Sequence, residues 1–401
     1  MTVLQPDWLK TEIDEHIPNL VTMRRDLHAY PELAFEEIRT SGIVADRLRM
    51  LGMDVQTGIA QTGVVGLLRG EGGQSGSSRK LLAIRADMDA LPIYEQNTVE
   101  YRSQVDGKMH ACGHDGHTSI LLTVADLLSK RRSELRGDVR FIFQPAEEIA
   151  SGARPMIEQA AMLGVDGVIG LHLMSTMPSG FIGVRAGAVF AGADGFTLTV
   201  HGRGGHAAIP QNAVDPIVIV AHVVTALQTL ISRETSPFSP AVITVGMLQA
   251  GTAFNIIPEI AVLRGTIRTF TPTQQAHLRR RMTELTTGIA LSMGGGCDVE
   301  FIDACPPCVN DPVMTEMVYR AAVASVGKEF VKVDESVMAT WSDDMAYFLQ
   351  SAPGCYFVVG VQNADKGASY PHHHPQFNLD EDALPIGMEV LTRAALDFLR
   401  S

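Results

Sequence analysis

Three runs follow one another across residues 81–144: "LLAIRAD" (81–87), "MHACGHDGHTSILLTVADLLSK" (109–130) and "VRFIFQ" (139–144). The outer two are short apolar runs of strand length. The middle one, after a polar opening that Asp115 can cap, repeats apolar residues at helical spacing. Strand, helix and strand in that order build a parallel pair with its crossover, and the pattern continues on both sides. "DWLKTEIDEHIPNLVTMRRDLHAY" (7–30), "FEEIRTSGIVADRLRMLG" (35–52) and "ARPMIEQAAML" (153–163) read as helices; "VVGLLRG" (64–70), ending in the loop "EGGQSGSS" (71–78), and "GVIGLHL" (167–173) read as strands. The expected fold class is α/β, a largely parallel sheet flanked by helices.

Near residue 189 the rhythm changes. "GFTLTVHG" (195–202), "AVITVGMLQ" (241–249), "IAVLRGTIRTF" (260–270) and "CDVEFID" (297–303) read as strands. Helices are expected over "DPIVIVAHVVTALQTLIS" (215–232), with Asp215 as cap and Pro216 at its first position, and over "TPTQQAHLRRRMTELTTGIALSM" (271–293). The order βαββαβ is that of a ferredoxin-like split βαβ sandwich. After "CPPCVNDP" (305–312), the helix "VMTEMVYRAAVASVG" (313–327) and the strand "CYFVVG" (355–360) resume the first layer. Residues 1–188 and 305–401 are therefore expected to form one discontinuous domain, with 189–304 inserted into it, a division that suits a chain of 401 residues.

The formal net charge is -13, and no basic run exceeds "SKRRSELR" (129–136), which argues against a nucleic-acid partner. Asp and Glu stand in the N-terminal segment where a secretory signal needs basic residues, and no segment approaches 18 uninterrupted apolar residues, so a cytoplasmic protein without a membrane partner is expected. Five cysteines are an odd and sparse set for a disulfide framework, and Cys305-Pro-Pro-Cys308 has neither a thioredoxin context nor a second CxxC to complete a zinc ribbon.

The chemistry concentrates at strand ends, where open α/β sheets bind their ligands. Asp87 ends one strand, and His110, Cys112, His114, Asp115 and His117 crowd the loop after it, in a chain with only thirteen histidines. Glu147 and Glu148 follow the next strand, and His172 closes the one after. Thiolate and imidazole suit zinc and its first-row neighbours. Adjacent glutamates point in different directions, so one can ligate a metal while the other stays free as a base. One of His372, His373 and His374 in "YPHHHPQF" (370–377) is expected to close the site.

"RRDLHAYPELAFEE", "RADMDALPI", "MHACGHDGH", "FQPAEE", "GLHL", "GGHAAIP" and "HHHPQFNLDED" occur in this order over essentially the whole chain. Together they resemble the co-catalytic metal amidohydrolases related to aminoacylases and zinc carboxypeptidases, most of all the branch of hippurate hydrolase, auxin-conjugate hydrolase and N-acetyldiaminopimelate deacetylase. The resemblance implies a zinc-exopeptidase-like catalytic domain carrying two divalent metal ions (zinc, manganese, cobalt or nickel), with Cys112 shared between them. His114, Glu148, His172 and His373 would be the further ligands, the last selected by the family's H-x-P-x-F arrangement. It implies Glu147 as general base, Asp87 as the carboxylate orienting the site, and His110 and His117 in support, with Arg85 where related branches carry an extra histidine ligand. The inserted domain resembles a lid and dimerisation domain, whose His206 would reach the partner's active site as an oxyanion donor while Asn255 and Arg268 hold the substrate carboxylate.

The expected activity is hydrolysis of N-acyl-L-amino acids by a homodimer or a higher oligomer. A metallo-exopeptidase acting on dipeptides is the alternative, and a non-catalytic binding protein the next. "WSDDMAYF" (341–348) departs from the family's Ser-Glu-Asp-Phe, with Asp343 for Glu and Met345 for Phe, changes expected to alter the substrate pocket.

Overall fold

The computed structural model describes residues 7–72 and 79–400; Gly73–Ser78 of the expected loop and the first six residues of the N-terminal segment lie outside the described residues. The chain divides into two compact units, one running to Val189 and returning at Val309–Val337 and from Asp344 onward, the other comprising Phe190–Cys308 and Met338–Asp343. Met338–Asp343 falls within 305–401 of the expected division, yet it belongs with the insert. The backbone N–H of Ala191 donates to the carbonyls of Ala339 and Trp341, and the thiols of Cys305 and Cys308 donate to the carbonyl of Asp343.

In chain order the main strands are β1 (Asp54–Ile59), β2 (Gly63–Leu68), β3 (Leu81–Asp87), β4 (Asp138–Gln144), β5 (Gly167–Pro178), β6 (Ile182–Gly183), β7 (Gly192–His201), β8 (Ala241–Ala250), β9 (Ile260–Thr269), β10 (Gly296–Cys305), β11 (Val331–Lys332) and β12 (Gly354–Gln362). The helices are α1 (Asp7–Ala29), α2 (Ile38–Met50), α3 (His114–Ser129), α4 (Ala153–Glu158), α5 (Pro216–Ser232), α6 (Pro272–Ser292), α7 (Pro312–Val326), α8 (Met345–Ser351) and α9 (Leu384–Arg400).

The first unit holds a sheet of order β1-β2-β4-β3-β5-β12-β6-β11. Its centre, β4-β3-β5-β12, is parallel, as the strand–helix–strand order requires, and β1 and β2 add antiparallel strands at one side. Leu82, Ile84, Phe141, Ile169 and Phe357 of the central strands share one core with Leu121 and Leu128 of α3 and Leu391 and Ala395 of α9. β5 runs on past Leu173 because its pairing with β12 extends to Pro178 opposite Gln362, so His172 lies within the strand, opposite Val358, and does not end it. Helix α4 is shorter than expected: Ala160 turns to a φ of 68°, and the side chain of Gln159 accepts from the N–H of Ala60.

Helix α3 is buried along nearly its whole length, so its start must approach β5 closely. Gly116 permits this, since a Cβ there would come within 2.5 Å of Leu173 Cδ1. Asp115 does not cap the helix; Gly113, at φ 93°, holds the cap position. The Asp115 carboxylate faces Arg24 Nε at 2.9 Å and His28 Nδ1 at 2.8 Å, both from α1. This explains "RRDLHAY": it anchors the first turn of α3, from which His114 projects.

The second unit is the antiparallel sheet β8-β9-β7-β10 with α5 and α6. Leu198, Val200, Leu263 and Ile267 from the sheet pack with Val223, Leu227, Leu278 and Met282 from the helices. Asp215 accepts from the N–H of Ile217, the expected cap, and Thr271 caps the second helix by accepting from the N–H of Gln274. Among the described residues no helix is long and apolar enough to cross a membrane.

Arg24 and Asp115 are both fully buried. Replacing Arg24 by Ala leaves the buried Asp115 carboxylate with His28 alone, and should cost about 3–5 kcal/mol of stability. Urea denaturation followed by circular dichroism measures it; a loss below about 1 kcal/mol would mean that the ion pair does not anchor α3.

Candidate metal centre

Cys112 and His114 flank the Gly113 cap, and the ring of His114 is oriented by its own hydrogen bond: Nδ1 donates to the carbonyl of Asp89 at 2.9 Å, which leaves the Nε2 lone pair facing inward. Around that Nε2 stand Asp87 Oδ2 at 3.8 Å, Glu147 Oε2 at 3.9 Å and Glu148 Oε1 at 3.9 Å. His172 is held the same way. Its Nδ1 donates to the carbonyl of Leu173 at 2.9 Å, and its Nε2 lies 3.7 Å from Cys112 Sγ. Glu148 Oε2 is 3.3 Å from His373 Nε2.

The neighbours of the three consecutive histidines sort them. His372 Nε2 accepts from the N–H of Ser175, and His374 stacks on Tyr370 with ring centroids 4.4 Å apart. His373 alone faces Glu148, with 54% of its side chain exposed, so the site is open on that side.

Ligand atoms of Cys112, His114 and His172 lie within 4.8 Å of one another, as do those of Cys112, Glu148 and His373 and those of His114, Glu147 and Glu148. Cys112 is common to the first two groups. Asp87, His114 and His117 also approach within that distance, but the ring of His117 is committed: Nδ1 donates to Asp87 at 2.6 Å and Nε2 accepts from the N–H of Leu173 at 2.9 Å. Both of its ring nitrogens are thus used within the protein. His110 is buried behind the loop and kept neutral, burial lowering its pKa to about 4.

The residues fit a divalent cation. His114 Nε2 and Glu148 Oε1 are buried without a hydrogen-bond partner, a costly state for polar atoms that a cation relieves, and thiolate, imidazole and carboxylate are its customary donors. The electrostatics agree. Burial raises Glu148 to about 7 and pushes the Cys112 thiol well up, while His114, although burial opposes its charge, is raised by Asp87 well above the usual histidine range. The place favours positive charge.

Arg85 is buried and bound to side chains behind the cluster. Its guanidinium donates to Asp87 at 2.7 Å, to Gln144 at 2.8 Å and to Asp344 at 3.1 Å. Burial works against the charge on Asp87, but His114, His117 and Arg85 hold it well below the usual carboxylate range. Asp344 also accepts from Gln144 and from the N–H of Ala153, so this residue of "WSDDMAYF" braces the first unit, and the neighbouring Met345 is fully buried. Sequence reasoning missed Asp89, whose carboxylate accepts from the backbone N–H of both Glu147 and Glu148 at 3.0 Å. Its signal was present, a second aspartate two positions after Asp87.

In the second unit His206 and Asn255 come together. The short strands Gly205–His206 and Ile256–Ile257 pair, Ile256 opposite His206, and the N–H of Ala207 donates to the carbonyl of Asn255. Both residues are exposed. Arg268 is half-buried at the other end of β9, opposite Ala193, about 26 Å along the strand from Ile260 at the usual rise per residue. Cys305 and Cys308 are buried and share the carbonyl of Asp343 as acceptor.

Comparison with known proteins agrees with this geometry. The profile of Peptidase family M20/M25/M40 matches residues 83–397. The chain is 40% identical to Thermostable carboxypeptidase 1 of Saccharolobus solfataricus, over 94% of this chain and 95% of that protein. It is 37% identical to N-acetylcysteine deacetylase of Bacillus subtilis, over 95% and 97%. The crystal structure of Bacillus subtilis YXEP protein, described as a dinuclear metal binding peptidase from M20 family, superposes with a TM-score of 0.83 at 33% identity, covering 96% of this chain and 99% of that one. With the motifs in register over nearly the full length and a thiolate, imidazole and carboxylate cluster where the sheet brings them together, this chain belongs to the M20/M25/M40 family of hydrolases.

Proposed function

We propose that the protein is a dinuclear metal-dependent amidohydrolase that cleaves N-acyl-L-amino acids, hippurate-like or N-acetyl, to a carboxylic acid and a free amino acid. The observation that carries this reading is the pair of successive glutamates, each with a carboxylate oxygen 3.9 Å from His114 Nε2. Binding alone needs one of them as a ligand, and hydrolysis needs the other as a base. Both activities in the names of the two relatives concern an amide on the nitrogen of an amino acid, the bond assigned here.

Cys112, His114, Glu148, His172 and His373 would hold two divalent ions, zinc, manganese, cobalt or nickel, with the Cys112 sulfur shared. When bound, such a pair polarises an amide carbonyl and lowers the pKa of a water. Glu147 takes the water's proton and passes it to the leaving amine nitrogen, the step without which the amine is too poor a leaving group. Asp87, fixed by Arg85 and His117, keeps the first turn of α3 in register. Arg268 offers a fork matched to the substrate carboxylate, and Asn255 an amide donor.

Those last two residues favour a homodimer, or a higher oligomer built from it. Asn255 with His206 and Arg268 sit near opposite ends of one strand, too far apart for both to hold one small carboxylate within the same copy. His206 and Asn255 would then come from the partner, His206 as oxyanion donor. The edge strand β8 exposes Val242, Met247 and Leu248, an apolar edge suited to pairing. No disulfide forms among the described cysteines, which suits a reducing compartment, the cytoplasm. The relative named as a carboxypeptidase keeps a second reading open, a metallo-exopeptidase acting on dipeptides; a panel of N-acyl amino acids against dipeptides decides, and preference for a free amino terminus overturns the first reading.

Glu147→Gln should abolish turnover with metal content near that of the parent, because a base and no ligand is removed. Loss of metal in that variant would exchange the roles of Glu147 and Glu148.

Cys112→Ser should lose metal and activity together, a hydroxyl being a poor ligand at neutral pH, and chelation should inactivate the parent reversibly. Full activity in demonstrably metal-free protein would refute the assignment.

His206→Ala should lower turnover about 10²-fold or more with metal retained, the usual scale for an oxyanion donor. Mixing it with Glu147→Gln protein should restore activity after subunit exchange, because one hybrid site combines intact Glu147 with the partner's intact His206. Confirmed exchange without recovery removes His206 from the neighbouring site.

A further inference from the structure

The turn that carries Glu147 and Glu148 belongs to no helix or strand, yet three successive amides in it are tied down. The N–H of Ala146 donates to Glu37 Oε1 at 2.9 Å, that of Glu147 to Asp89 Oδ1 at 3.0 Å and that of Glu148 to Asp89 Oδ2 at 3.0 Å. Ala146 is at φ 54°, a left-handed conformation that turns consecutive N–H groups toward one side, where they form a concavity for an anion. In free proteins such concavities take phosphate or other ligands. Here the occupants are two buried side-chain carboxylates from elsewhere in the chain.

We propose that Asp89 is the positioning residue of this site: each oxygen of its carboxylate takes one amide of the Glu147–Glu148 pair, fixing the turn from which the two side chains diverge. This rests on the reading of Glu147 as base and Glu148 as ligand. The same residue also orients the third member of that group, since its backbone carbonyl accepts from His114 Nδ1 at 2.9 Å. One side chain and one carbonyl thus set base, carboxylate ligand and imidazole ligand relative to one another. Misplacement of a reacting group by about 1 Å can cost 10²-fold, and partners behind metal ligands are commonly worth 10–100-fold in affinity or activity.

Glu37 provides the contrast. Its Oε2 accepts from the hydroxyl of Thr62, a group that can reverse and accept instead. Glutamine at 37 therefore keeps an acceptor for Ala146 and finds a partner for its amide. Burial already raises the Glu37 carboxyl, so this place tolerates a neutral group. Asparagine at 89 has no such escape: its NH₂ must face a backbone N–H, donor against donor, in a buried site.

Asp89→Asn should therefore lower kcat about 10²-fold with KM near the parent's, and should release metal at about a tenfold lower chelator concentration. Glu37→Gln, which removes an equal buried carboxylate, should lose at least tenfold less by both measures. Equal losses in the two variants would assign the effect to buried charge and overturn the proposal, as would parent-like kcat and chelator midpoint in folded Asp89→Asn. Should that variant not accumulate as folded protein, hydrogen exchange in the unmodified chain decides: slow exchange of the Ala146, Glu147 and Glu148 amides is expected, and rapid exchange overturns the proposal. If the parent hydrolyses no N-acyl amino acid, the proposed function fails, while the chelator and exchange arms still decide the role of Asp89.

Discussion

Buried negative charge is the constraint on which the first unit depends. Asp87, Glu147 and Glu148 bring carboxylate oxygens within 4 Å of one imidazole nitrogen, and Asp89 lies just behind them. Carboxylates so placed lose hydration and repel one another, so each must be answered by the fold. The answers differ. Asp87 receives a guanidinium and an imidazole, Asp89 receives two backbone amides, and Asp115 receives Arg24 and His28. Glu148 and Cys112 have only imidazoles beside them, and burial still raises both. The carboxylates that a guanidinium or backbone amides answer are the supports, and the acidic donors that burial keeps high are those proposed for metal.

The parallel sheet makes this crowding possible. β3, β4 and β5 are neighbours running the same way, so Asp87, the turn after Gln144 and His172 arrive on one side although the chain between them is long. Helix α3 must then start within reach of all three. Gly116 allows it by removing a side chain where the backbone meets Leu173, and Gly113 by taking the left-handed cap conformation. Arg24 and His28, about ninety positions earlier, hold its first turn down. These long-range contacts give "RRDLHAY" its place: Arg24 and His28 hold the helix that presents His114.

Much of this was legible in the sequence, and the failures share a cause. Apolar runs located β3 and β4 because periodicity is a local property. The extent of β5 was not legible, since Pro178 is strand only through its partner Gln362. Asp115 read as a cap because Asp is common there, yet its partners come from α1. The candidate donors were readable from cysteine, histidine and paired glutamates, and the family resemblance chose among them. The contacts of Asp89 were not: a second aspartate two positions after Asp87 marked the place, but the two amides it holds belong to a turn nearly sixty residues away. Helix α9, with Leu384, Met388, Leu391 and Ala395 buried on one face, had a readable stripe that the sequence reading did not take up.

The loop of three histidines shows how backbone conformation completes what side-chain identity leaves open. His373 is at φ 64°, a conformation costing a non-glycine residue about 1–3 kcal/mol, and it persists only because its surroundings impose it. The N–H of His373 donates to the carbonyl of Ala111, beside Cys112, at 2.8 Å, while Ser175 holds His372 and Tyr370 holds His374. With both flanks fixed, the left-handed turn sends the middle imidazole toward Glu148. Because that imidazole is also the most open part of the cluster, the strain sits on the exposed side of the candidate site. A relaxed loop would draw His373 away from Glu148, so the unfavourable φ is what keeps this imidazole beside the enclosed donors.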